Sequence, residues 1–547
     1  MIIDRMFGLP VVFQSRRLLV GLPVVERFKM AARAAFCTAV FQSIAILLMS
    51  QSSSSAKIAV LVIPNGISHF YMMEPIGQEL EARGHEVTYI MCSMEPKLYT
   101  INARRILIYD VKHPVNALVE ASALKLARTG SLSWPNAVKV LDILSDACDT
   151  VLSNQTILSA LKGTDLLFGD SSIFGCSQLL QLKTGIPHIV DFLAWGFNDP
   201  FVAAYGVDWP LSYIPSEISF SSPRMTFMKR VENVMFYLFM QIIVPLLRSR
   251  VTGRLQHKHG IAADKSVAEL LGDTDIVLAP ADWSLEWARP LPPNVKVIGS
   301  PSQRQAMKLP REFEDFIASA EHGVVLVSFG SMVMSLDDAV VSKLANVFSK
   351  LKYKVIIKFG DSFPKTDNVM LVKWMPQNDI LANSNVKLFI THGGANSVYE
   401  GCGHGVPLLV TPLFSDQFGY GEKVKAAGLG ISVSLKESTA EEMIKNINEL
   451  IEKPCYKENA LRVSRLMEDK PQTPQQEGAF WIEYVIRNNG TQHLRPSGRD
   501  LPFYQYFLLD VMLFFGTIIS IFVFMLVKCL KVVRFKSGLS TVKRKEE

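Results

Sequence analysis

The sequence predicts an α/β protein with two parallel sheets and one membrane-spanning helix. Two sets of short apolar strand segments alternate with helical segments, a proline-rich stretch separates the sets, and a long uncharged apolar run lies near the C-terminus. Such alternation is typical of parallel sheets, because a crossover helix has to return the chain to the edge where the strand began. With 547 residues, the chain has room for two or three domains that each have a core.

The first set of strands opens with K-I-A-V-L-V-I-P from Lys57. A loop that contains His69 follows, and then a helix is predicted over residues 74–83 and a strand over residues 86–91. A later strand, D-L-L-F-G-D, ends at Asp170. This order of elements predicts a βαβ opening of a parallel sheet.

The second set of strands follows the proline-rich stretch P-L-P-P-N, which begins at Pro290. Its predicted strands cover residues 324–330, 355–359, 369–372, 386–391 and 406–411. The predicted organisation is a first domain at residues 57–290, a linker at 291–310 and a second domain at 311–500.

The C-terminal apolar run is predicted to cross a membrane. Residues 511–527 carry no charge, and at a rise of ~1.5 Å per residue the span 507–530 is long enough for a bilayer. The basic tail at 531–547 predicts a cytosolic C-terminus, and its last residues, K-R-K-E-E, resemble a retrieval signal of the endoplasmic reticulum. The predicted location is therefore the endoplasmic reticulum membrane, with single-pass type I topology and luminal domains.

The N-terminal leader at residues 1–56 contains the pattern of a cleaved signal peptide at 30–56: a basic start, an apolar middle and a small-residue end. A second membrane anchor is the alternative, and translation from Met1 or from Met30 is left open. A further apolar segment, residues 234–247, is too short for a typical span and predicts a core helix or a membrane-surface helix.

Composition narrows the function classes. The hydrophobic fraction of 49% is explained by the two ends. The net charge of +6 also comes from the ends, so nucleic-acid binding is not predicted.

The cysteines form no C-x-x-C pair, so neither a zinc site nor a dense disulfide framework is indicated, and their pairing is left open. The sequons at Asn154 and Asn489 are candidate glycosylation sites that agree with a luminal body.

Residues 374–417 form the segment with the most chemical information. A strand ends in T-H-G-G, and a helix predicted from residue 395 follows it. The glycines allow a ligand to approach the backbone, and the free N–H groups at the start of the helix favour a phosphate. Trp374 offers a flat face for a base, and Gln377 can bind its amide edge. Side chains suited to phosphate and sugar groups follow the two strands: His392, Asn396, Ser397, Glu400, Asp416 and Gln417.

This segment resembles the donor-binding signature of the UDP-glycosyltransferases, a family of membrane-anchored enzymes that includes the UDP-glucuronosyltransferases. The resemblance covers nearly the whole chain after the leader. It implies the GT-B fold, in which two Rossmann-like domains face a cleft, with a C-terminal transmembrane helix. It also implies the site roles: Trp374 stacks on uracil, Gln377 binds the uracil or ribose, His392, Gly394, Asn396 and Ser397 hold the diphosphate, Glu400 holds the ribose, and Asp416 with Gln417 holds the sugar. The family usually has Asn three residues after this last pair, where the chain has Tyr420.

Catalysis is expected from the N-terminal half. Transfer of a sugar to a hydroxyl needs a base, and the pKa of histidine, ~6.5, suits that role. By resemblance, His69 matches the catalytic histidine and Asp170 the carboxylate that orients it, although Asp165 and Asp191 are nearby alternatives. The predicted reaction is a single displacement with inversion, from a UDP-sugar co-substrate to a small lipophilic acceptor.

No metal or other cofactor is expected. The pair Asp273 and Asp275 fits the D-x-D pattern of metal-dependent glycosyltransferases, but its position between a helix and a strand is typical of turn residues. His392, the backbone amides after it and Ser331 are instead expected to stabilise the diphosphate.

The sugar and the acceptor are less well defined by the sequence. Members of the family that transfer glucuronic acid tend to have an arginine in the segment that matches residues 275–283, and this chain has none there. UDP-glucose, UDP-N-acetylglucosamine or UDP-galactose is therefore preferred over UDP-glucuronate.

The acceptor pocket is expected in the N-terminal half, where three aromatic residues are candidates for its lining or for the core: Phe192, Trp195 and Phe197. A catalytically silent partner subunit and a membrane-tethered carbohydrate-binding protein are the alternatives from other classes, and homo- or hetero-oligomerisation is left open.

Overall fold

The structure, a computed structural model, describes residues 55–62, 67–93, 105–111, 134–197, 202–216, 221–330, 336–360, 363–364 and 366–543. Residues 30–54 of the predicted signal peptide, Ser331 and residues 544–547 of the basic tail lie outside these ranges.

A first sheet of seven parallel strands is built from the N-terminal half of the chain. Its strands are β1 (Lys57–Leu61), β2 (Glu86–Cys92), β3 (Ile106–Tyr109), β4 (Leu166–Asp170), β5 (His188–Phe192), β6 (Ile276–Ala279) and β7 (Val295–Val297). They lie in the order β3-β2-β1-β4-β5-β6-β7. The central strands are buried on both faces, as is usual where helices cover both sides of a parallel sheet.

The helices of this half are α1 (Ile67–Ala82), α2 (Trp134–Ser153), α3 (Gln155–Ala160), α4 (Cys176–Thr184), α5 (Phe227–Arg248), α6 (Arg254–His259) and α7 (Val267–Gly272). Helix α1 begins earlier than predicted, so His69 lies in its first turn rather than in a loop.

A second sheet of six parallel strands follows in the chain. Its strands are β8 (Val324–Ser328), β9 (Lys354–Lys358), β10 (Val369–Val372), β11 (Val386–Thr391), β12 (Leu408–Val410) and β13 (Gly430–Ser432), in the order β10-β9-β8-β11-β12-β13. The remaining helices are α8 (Arg311–Ala318), α9 (Asp338–Ser349), α10 (Gln377–Leu381), α11 (Ala395–Gly403), α12 (Gln417–Ala426), α13 (Ala440–Glu452), α14 (Pro454–Glu468), α15 (Pro474–Arg487), α16 (Phe503–Tyr506) and α17 (Leu509–Lys543).

The register of each sheet brings distant segments together. In the first sheet, β1 pairs with β4 so that Leu61 lies opposite Gly169. In the second sheet, β8 pairs with β11 so that Ser328 lies opposite Thr391. The segments that leave the carboxyl ends of these strands therefore lie side by side, and these ends are where open α/β sheets bind ligands.

Two elements depart from the predicted organisation. Strand β7 belongs to the first sheet although it falls in the predicted linker. Helix α15 follows the second sheet in the chain but packs back on the first half, where Ala479, Ile482 and Val485 share a core with strand residues such as Val60. The domain boundaries therefore stay a prediction.

A disulfide joins Cys148 in α2 to Cys176 at the start of α4, with a Cα–Cα distance of 5.9 Å. Both cysteines are buried. The bond fixes α4, which begins six residues after Asp170, to the neighbouring helix α2. The sequence alone did not reveal this pairing.

Two helices carry much exposed apolar surface. In α17 the stretch Leu509–Arg534 is long and apolar enough to cross a membrane, and none of it is buried. The helical stretch Phe227–His259, which begins with α5, passes the same test, and 17% of its most apolar 18 residues are buried. Of the two interpretations of residues 234–247, the core helix is therefore wrong.

Candidate active site

His69 and Asp170 form a close side-chain pair at the carboxyl edge of the first sheet. His69 Nδ1 lies 2.6 Å from Asp170 Oδ2. Both residues are buried, with 7% and 1% of their surface exposed. Asp170 Oδ1 accepts a hydrogen bond from the backbone N–H of Ser172 at 2.9 Å, which fixes the carboxylate. An imidazole held at Nδ1 presents Nε2 as its reactive nitrogen.

The two alternative carboxylates lie elsewhere. Asp165 accepts a hydrogen bond from the backbone N–H of Lys57, at the opposite end of the sheet. Asp191 is fully buried and accepts hydrogen bonds from Gln178 and Tyr205. Burial raises the pKa of Asp191 to about 6. Among the three predicted candidates, only Asp170 contacts His69.

A pocket lies next to this pair. Its lining includes Ser172, Phe174, Trp195, Tyr205 and Arg248. The Trp195 ring meets His69 edge-on with ring centroids 6.4 Å apart. The pocket therefore adjoins the imidazole.

The other two aromatic candidates for this lining are core residues. Phe192 has no exposed surface and packs on Phe168 with centroids 5.8 Å apart. Phe197 is 1% exposed and stacks on Trp283 at 6.1 Å. Only Trp195 of the three faces the pocket.

In the second half, His392 lies at the end of β11 between two glycine backbones. A Cβ on Gly330 or on Gly394 would come within 2.6 or 2.7 Å of His392 Nε2. Glycine is required at both positions because any side chain would displace the ring. Burial, with a smaller contribution from the charge of Lys358, lowers the pKa of His392 to about 4. The ring is therefore neutral at neutral pH.

Lys358 is a further candidate site residue that the sequence interpretation missed. It ends β9, and its Nζ donates a hydrogen bond to the carbonyl of Gly330 at 2.8 Å. Burial lowers the pKa of Lys358. A basic residue at the carboxyl end of a strand was the signal that could have found it, since ligands gather at that edge.

Gln377, Ser397 and Glu400 form a hydrogen-bonded group. The amide nitrogen of Gln377 donates to Glu400 Oε2 at 2.7 Å and lies 3.2 Å from Ser397 Oγ. Burial raises the pKa of Glu400 to about 7. Trp374, just before this group in the chain, is 56% exposed, so its ring has a free face.

Asn396 bridges the two halves of the protein. It lies in the first turn of α11, and its amide nitrogen donates a hydrogen bond of 2.8 Å to the carbonyl of Ser68, the neighbour of His69. Its Oδ1 is buried and has no hydrogen-bond partner within the described residues. The bond holds the glycine turn after β11 against the first turn of α1.

Asp416 and Gln417 stand at the start of α12. Burial raises the pKa of Asp416 to about 6, while the charges of Lys423 and His69 act in the opposite direction. Asp416 is thus close enough to His69 for their charges to interact. Gln417 is 3% exposed, and its Oε1 accepts hydrogen bonds from the backbone of Leu413 and Phe414.

Tyr420 fills the space behind these residues. It is 1% exposed and packs edge-on against Tyr399, with centroids 5.9 Å apart. Its hydroxyl lies 3.1 Å from the position of a Cβ on Gly196, which has a φ of +65°. The tyrosine therefore reaches the first half of the protein beside Trp195.

The two aspartates of the D-x-D pattern are engaged in structural contacts. Asp273 pairs with Lys265, Arg495 and Arg499 at 2.9 to 3.3 Å. Asp275 accepts hydrogen bonds from the backbone N–H groups of Ile189 and Thr491. These contacts favour the interpretation as turn residues. In the part of the chain that the structure describes, no cluster of three or more His, Cys, Asp or Glu side chains could hold a metal.

The first sheet carries a histidine–carboxylate pair at its carboxyl edge, and the second carries a glycine turn and a helix start suited to an anion, which together are compatible with an enzyme that transfers a group from a nucleotide. A family model described as "UDP-glucoronosyl and UDP-glucosyl transferase" matches residues 58–545. The chain therefore belongs to the UDP-glycosyltransferase family and is a glycosyltransferase, as predicted.

Relatives and solved structures agree with this assignment. UDP-glucuronosyltransferase 2B13 of Oryctolagus cuniculus is 32% identical over 530 residues, which cover 92% of this chain and 99% of the relative. UDP-glucuronosyltransferase 2B7 of Homo sapiens is 32% identical and covers 86% of this chain and 92% of its own length. Among solved structures, the glycotransferase of kitacinnamycin matches with a TM-score of 0.55 at 17% identity, over 79% of this chain and 99% of that protein. Os79 from O. sativa in complex with UDP matches with a TM-score of 0.53 at 17% identity, over 78% of this chain and 100% of that protein. The GT-B prediction is confirmed.

Proposed function

We propose that the protein transfers a hexose from a UDP-sugar to a hydroxyl of a small lipophilic acceptor, with inversion at the anomeric carbon. The observation that carries this proposal is the 2.6 Å contact between His69 and Asp170, opposite the donor signature of the second half. A histidine in that arrangement acts as a general base, because the carboxylate fixes its tautomer and stabilises its protonated form.

The reaction proceeds in a single displacement. His69 Nε2 takes the proton of the acceptor hydroxyl while the hydroxyl oxygen bonds to the anomeric carbon. The bond from that carbon to the β-phosphate oxygen breaks at the same time, and its electron pair leaves with UDP. Asp170 accepts the Nδ1–H hydrogen bond throughout. An α-linked donor therefore gives a β-glycoside.

The diphosphate is held by the turn after β11. The N–H groups at the start of α11 favour an anion, and Asn396 lies beside them. Because burial holds His392 in its neutral form, this residue contributes a hydrogen bond and Lys358 supplies the positive charge. Ser331, outside the described residues, stays in the proposed site.

The proposed mechanism needs no metal ion, so activity should survive EDTA. An absolute requirement for a divalent cation would contradict the metal-free mechanism.

The nucleoside and the sugar take the remaining positions. Trp374 stacks on uracil with its exposed face, Gln377 and Glu400 bind the ribose end, and Asp416 binds the sugar hydroxyls. Since Gln417 uses its Oε1 within its own loop, it offers its NH₂ group to the sugar.

A neutral sugar is the preferred donor. The nearby cation, Lys423, forms a buried pair with Glu286 at 2.7 Å, and Asp416 adds a carboxyl group at the sugar end. A glucuronate carboxylate would therefore meet the carboxyl group of Asp416, and residues 275–283, which match the segment where glucuronate-transferring members tend to have an arginine, contain none. UDP-glucuronate is the second candidate, because the two relatives above are UDP-glucuronosyltransferases.

The acceptor is assigned to the pocket beside Trp195. Its lining is mostly aromatic and aliphatic, which favours a lipophilic alcohol or phenol. Its position next to His69 supports transfer to a hydroxyl that enters this pocket.

A panel assay tests the function. Purified full-length protein is incubated with a generic phenol and, separately, with UDP-glucose, UDP-N-acetylglucosamine, UDP-galactose and UDP-glucuronate, and the mass added to the phenol is measured. A gain of one neutral hexose supports the preferred donor, and a glucuronate gain supports the alternative. No product with any donor, despite UDP binding, supports the silent partner subunit.

We also infer a location in the endoplasmic reticulum membrane with a luminal body. Helix α17 supports the anchor, the disulfide between Cys148 and Cys176 supports an oxidising compartment, and the basic tail supports the orientation. A shift in electrophoretic mobility after glycosidase treatment, lost in Asn489→Gln or Asn154→Gln, tests the luminal placement. Oligomerisation stays open.

A further inference from the structure

Helix α5 presents an apolar face to the outside of the protein. Met228, Met235 and Ile242 are 72%, 62% and 65% exposed. These three residues and three further exposed apolar residues recur every three or four positions, so all six lie on one side of the helix. The members of this outer face are Met228, Val231, Met235, Leu238, Ile242 and Leu246. An exposed apolar stripe along a whole helix marks an interaction surface rather than ordinary solvent-facing residues.

The opposite face of α5 is fixed to the protein. Asn233 is buried, and its side chain hydrogen-bonds the backbone of Leu211, Ile214 and Ser216 at 2.8 to 3.0 Å. Val244, further along the same face, is 3% exposed. The helix can therefore neither turn its apolar face inward nor cross a bilayer by itself, because polar contacts tie its inner face to the first half.

Helix α5 lies close to the start of the predicted membrane anchor, α17, through residues of its inner side. The hydroxyl of Tyr506, three residues before α17 begins, donates a hydrogen bond to Asp208 at 3.0 Å. The next residue, Trp209, meets Phe236 and Tyr237 of α5 edge-on, with ring centroids 6.2 and 5.5 Å apart. These contacts connect the middle of α5 to the point where the chain enters the bilayer.

We propose that α5 docks on the bilayer, with the outer face in the boundary between lipid headgroups and acyl chains. A helix of 22 residues spans about 33 Å at ~1.5 Å per residue, so it covers a long strip of the membrane surface. Helices of this type lie in the plane of the interface and bind through buried apolar area. The anchor α17 and the docked α5 together fix the orientation of the first half relative to the membrane.

Photolabelling from the lipid phase tests the docking. Full-length protein is reconstituted in phosphatidylcholine vesicles that contain a phospholipid with a diazirine in its acyl chain, and adducts are mapped by mass spectrometry after illumination. The expected result is labelling of Met235, Leu238 and Ile242 at least tenfold above Met307 and Leu466, which are 65% and 50% exposed on other elements. Labelling of α5 no higher than at these two residues would overturn the proposal. So would crosslinks between α5 helices of two copies without lipid adducts, because a second copy would then cover the face.

A substitution gives a second measurement. The double variant Met235→Glu, Ile242→Glu should reduce lipid adducts on Leu238 and Leu246 by at least fivefold, whereas Met307→Glu should leave them unchanged. Unchanged labelling in the double variant contradicts docking through this face. UDP binding checks that each variant folds. Photolabelling of the wild-type protein tests the docking even if a variant fails to fold, because it uses no substitution. Neither readout depends on turnover, so failure here is separate from failure of the proposed function.

Discussion

The amide nitrogen of Asn396 donates a hydrogen bond of 2.8 Å to the backbone carbonyl of Ser68, across 328 residues of sequence. Asn396 belongs to the turn assigned to the diphosphate, and Ser68 precedes the proposed base, His69. This hydrogen bond therefore holds the turn assigned to the diphosphate next to the proposed base.

The variant Asn396→Ala should weaken donor use more than folding. It removes the bridge and a donor-site amide, and one hydrogen bond of this kind contributes about 0.5–1.5 kcal/mol. We expect the KM for the UDP-sugar to rise about 2- to 10-fold, measured by initial rates. The exposed Asn346→Ala is the matched control. An unchanged KM would show that the bridge is not used when donor binds.

The variant His69→Ala should lose transfer while keeping UDP binding. Removal of a general base typically costs about 10²- to 10⁴-fold in rate, and His69 belongs to the first half of the protein, whereas the residues assigned to the nucleotide belong to the second. Product formation and calorimetric UDP titration give the two readouts. His257→Ala, an exposed histidine, serves as control. Substantial turnover in His69→Ala would eliminate the proposed mechanism.

Donor binding should strengthen as pH rises through 7. Because burial raises the pKa of Glu400 to about 7, its carboxyl is mostly protonated at pH 6 and mostly ionised at pH 8. The ionised form accepts the stronger hydrogen bonds from ribose. UDP-glucose affinity should therefore increase by up to about tenfold from pH 6 to pH 8.

This pH dependence should disappear in Glu400→Gln, which keeps the shape but has no titrating group. UDP-glucose is the suitable probe because its phosphates do not titrate near neutral pH. Asp416, with its pKa raised to about 6, is already about half ionised at pH 6, so it can add only about a twofold change between pH 6 and pH 8. If UDP-glucose affinity still increased as strongly with pH in Glu400→Gln, another titrating group would be responsible for the pH dependence.

The buried pair of Lys423 and Glu286 should be critical for stability. Their side chains are 1% and 0% exposed, and Nζ lies 2.7 Å from Oε2. Lys423→Met leaves a buried carboxylate without its partner, so the free energy of unfolding should fall by about 3–5 kcal/mol. Denaturant unfolding measures it.

Two controls accompany this prediction. Glu286→Gln added to Lys423→Met removes the stranded charge and keeps an acceptor for the Tyr399 hydroxyl, so much of the loss should be recovered. Lys352→Met, from an exposed pair with Glu452, should leave stability unchanged. A Lys423→Met variant as stable as wild type would mean that the site admits water.

Much of the candidate site was readable from sequence because its residues lie in short local patterns. The strand, the glycine turn and the helix that begins at Ala395 are consecutive, and periodicity and glycine spacing predict each of them. The sequence interpretation did not identify Lys358, because this residue is brought to the site by the pairing of β8 with β9, which joins segments distant in sequence. The aromatic candidates near residue 195 show the same limit, since composition cannot tell that Phe192 points into the core while Trp195 lines a pocket.

Helix α5 shows a different limit of pattern analysis. An apolar segment of this length predicts burial or membrane contact equally well, and only the packed structure shows that its apolar side faces outward. The start of α1 was placed too late because the segment before Glu74 has no strong helix signal.

The amino-acid sequence alone was sufficient to assign the family and the two sets of parallel strands, and it predicted the C-terminal anchor and most of the candidate site residues. These follow from local periodicity, turn chemistry and a specific motif, all encoded in neighbouring residues. Tertiary structure alone decided that Asp170 rather than Asp165 or Asp191 meets His69, that Asn396 reaches Ser68, and that Cys148 pairs with Cys176. Such contacts depend on sheet register and on the packing of one half against the other, and neither is written in the order of nearby side chains.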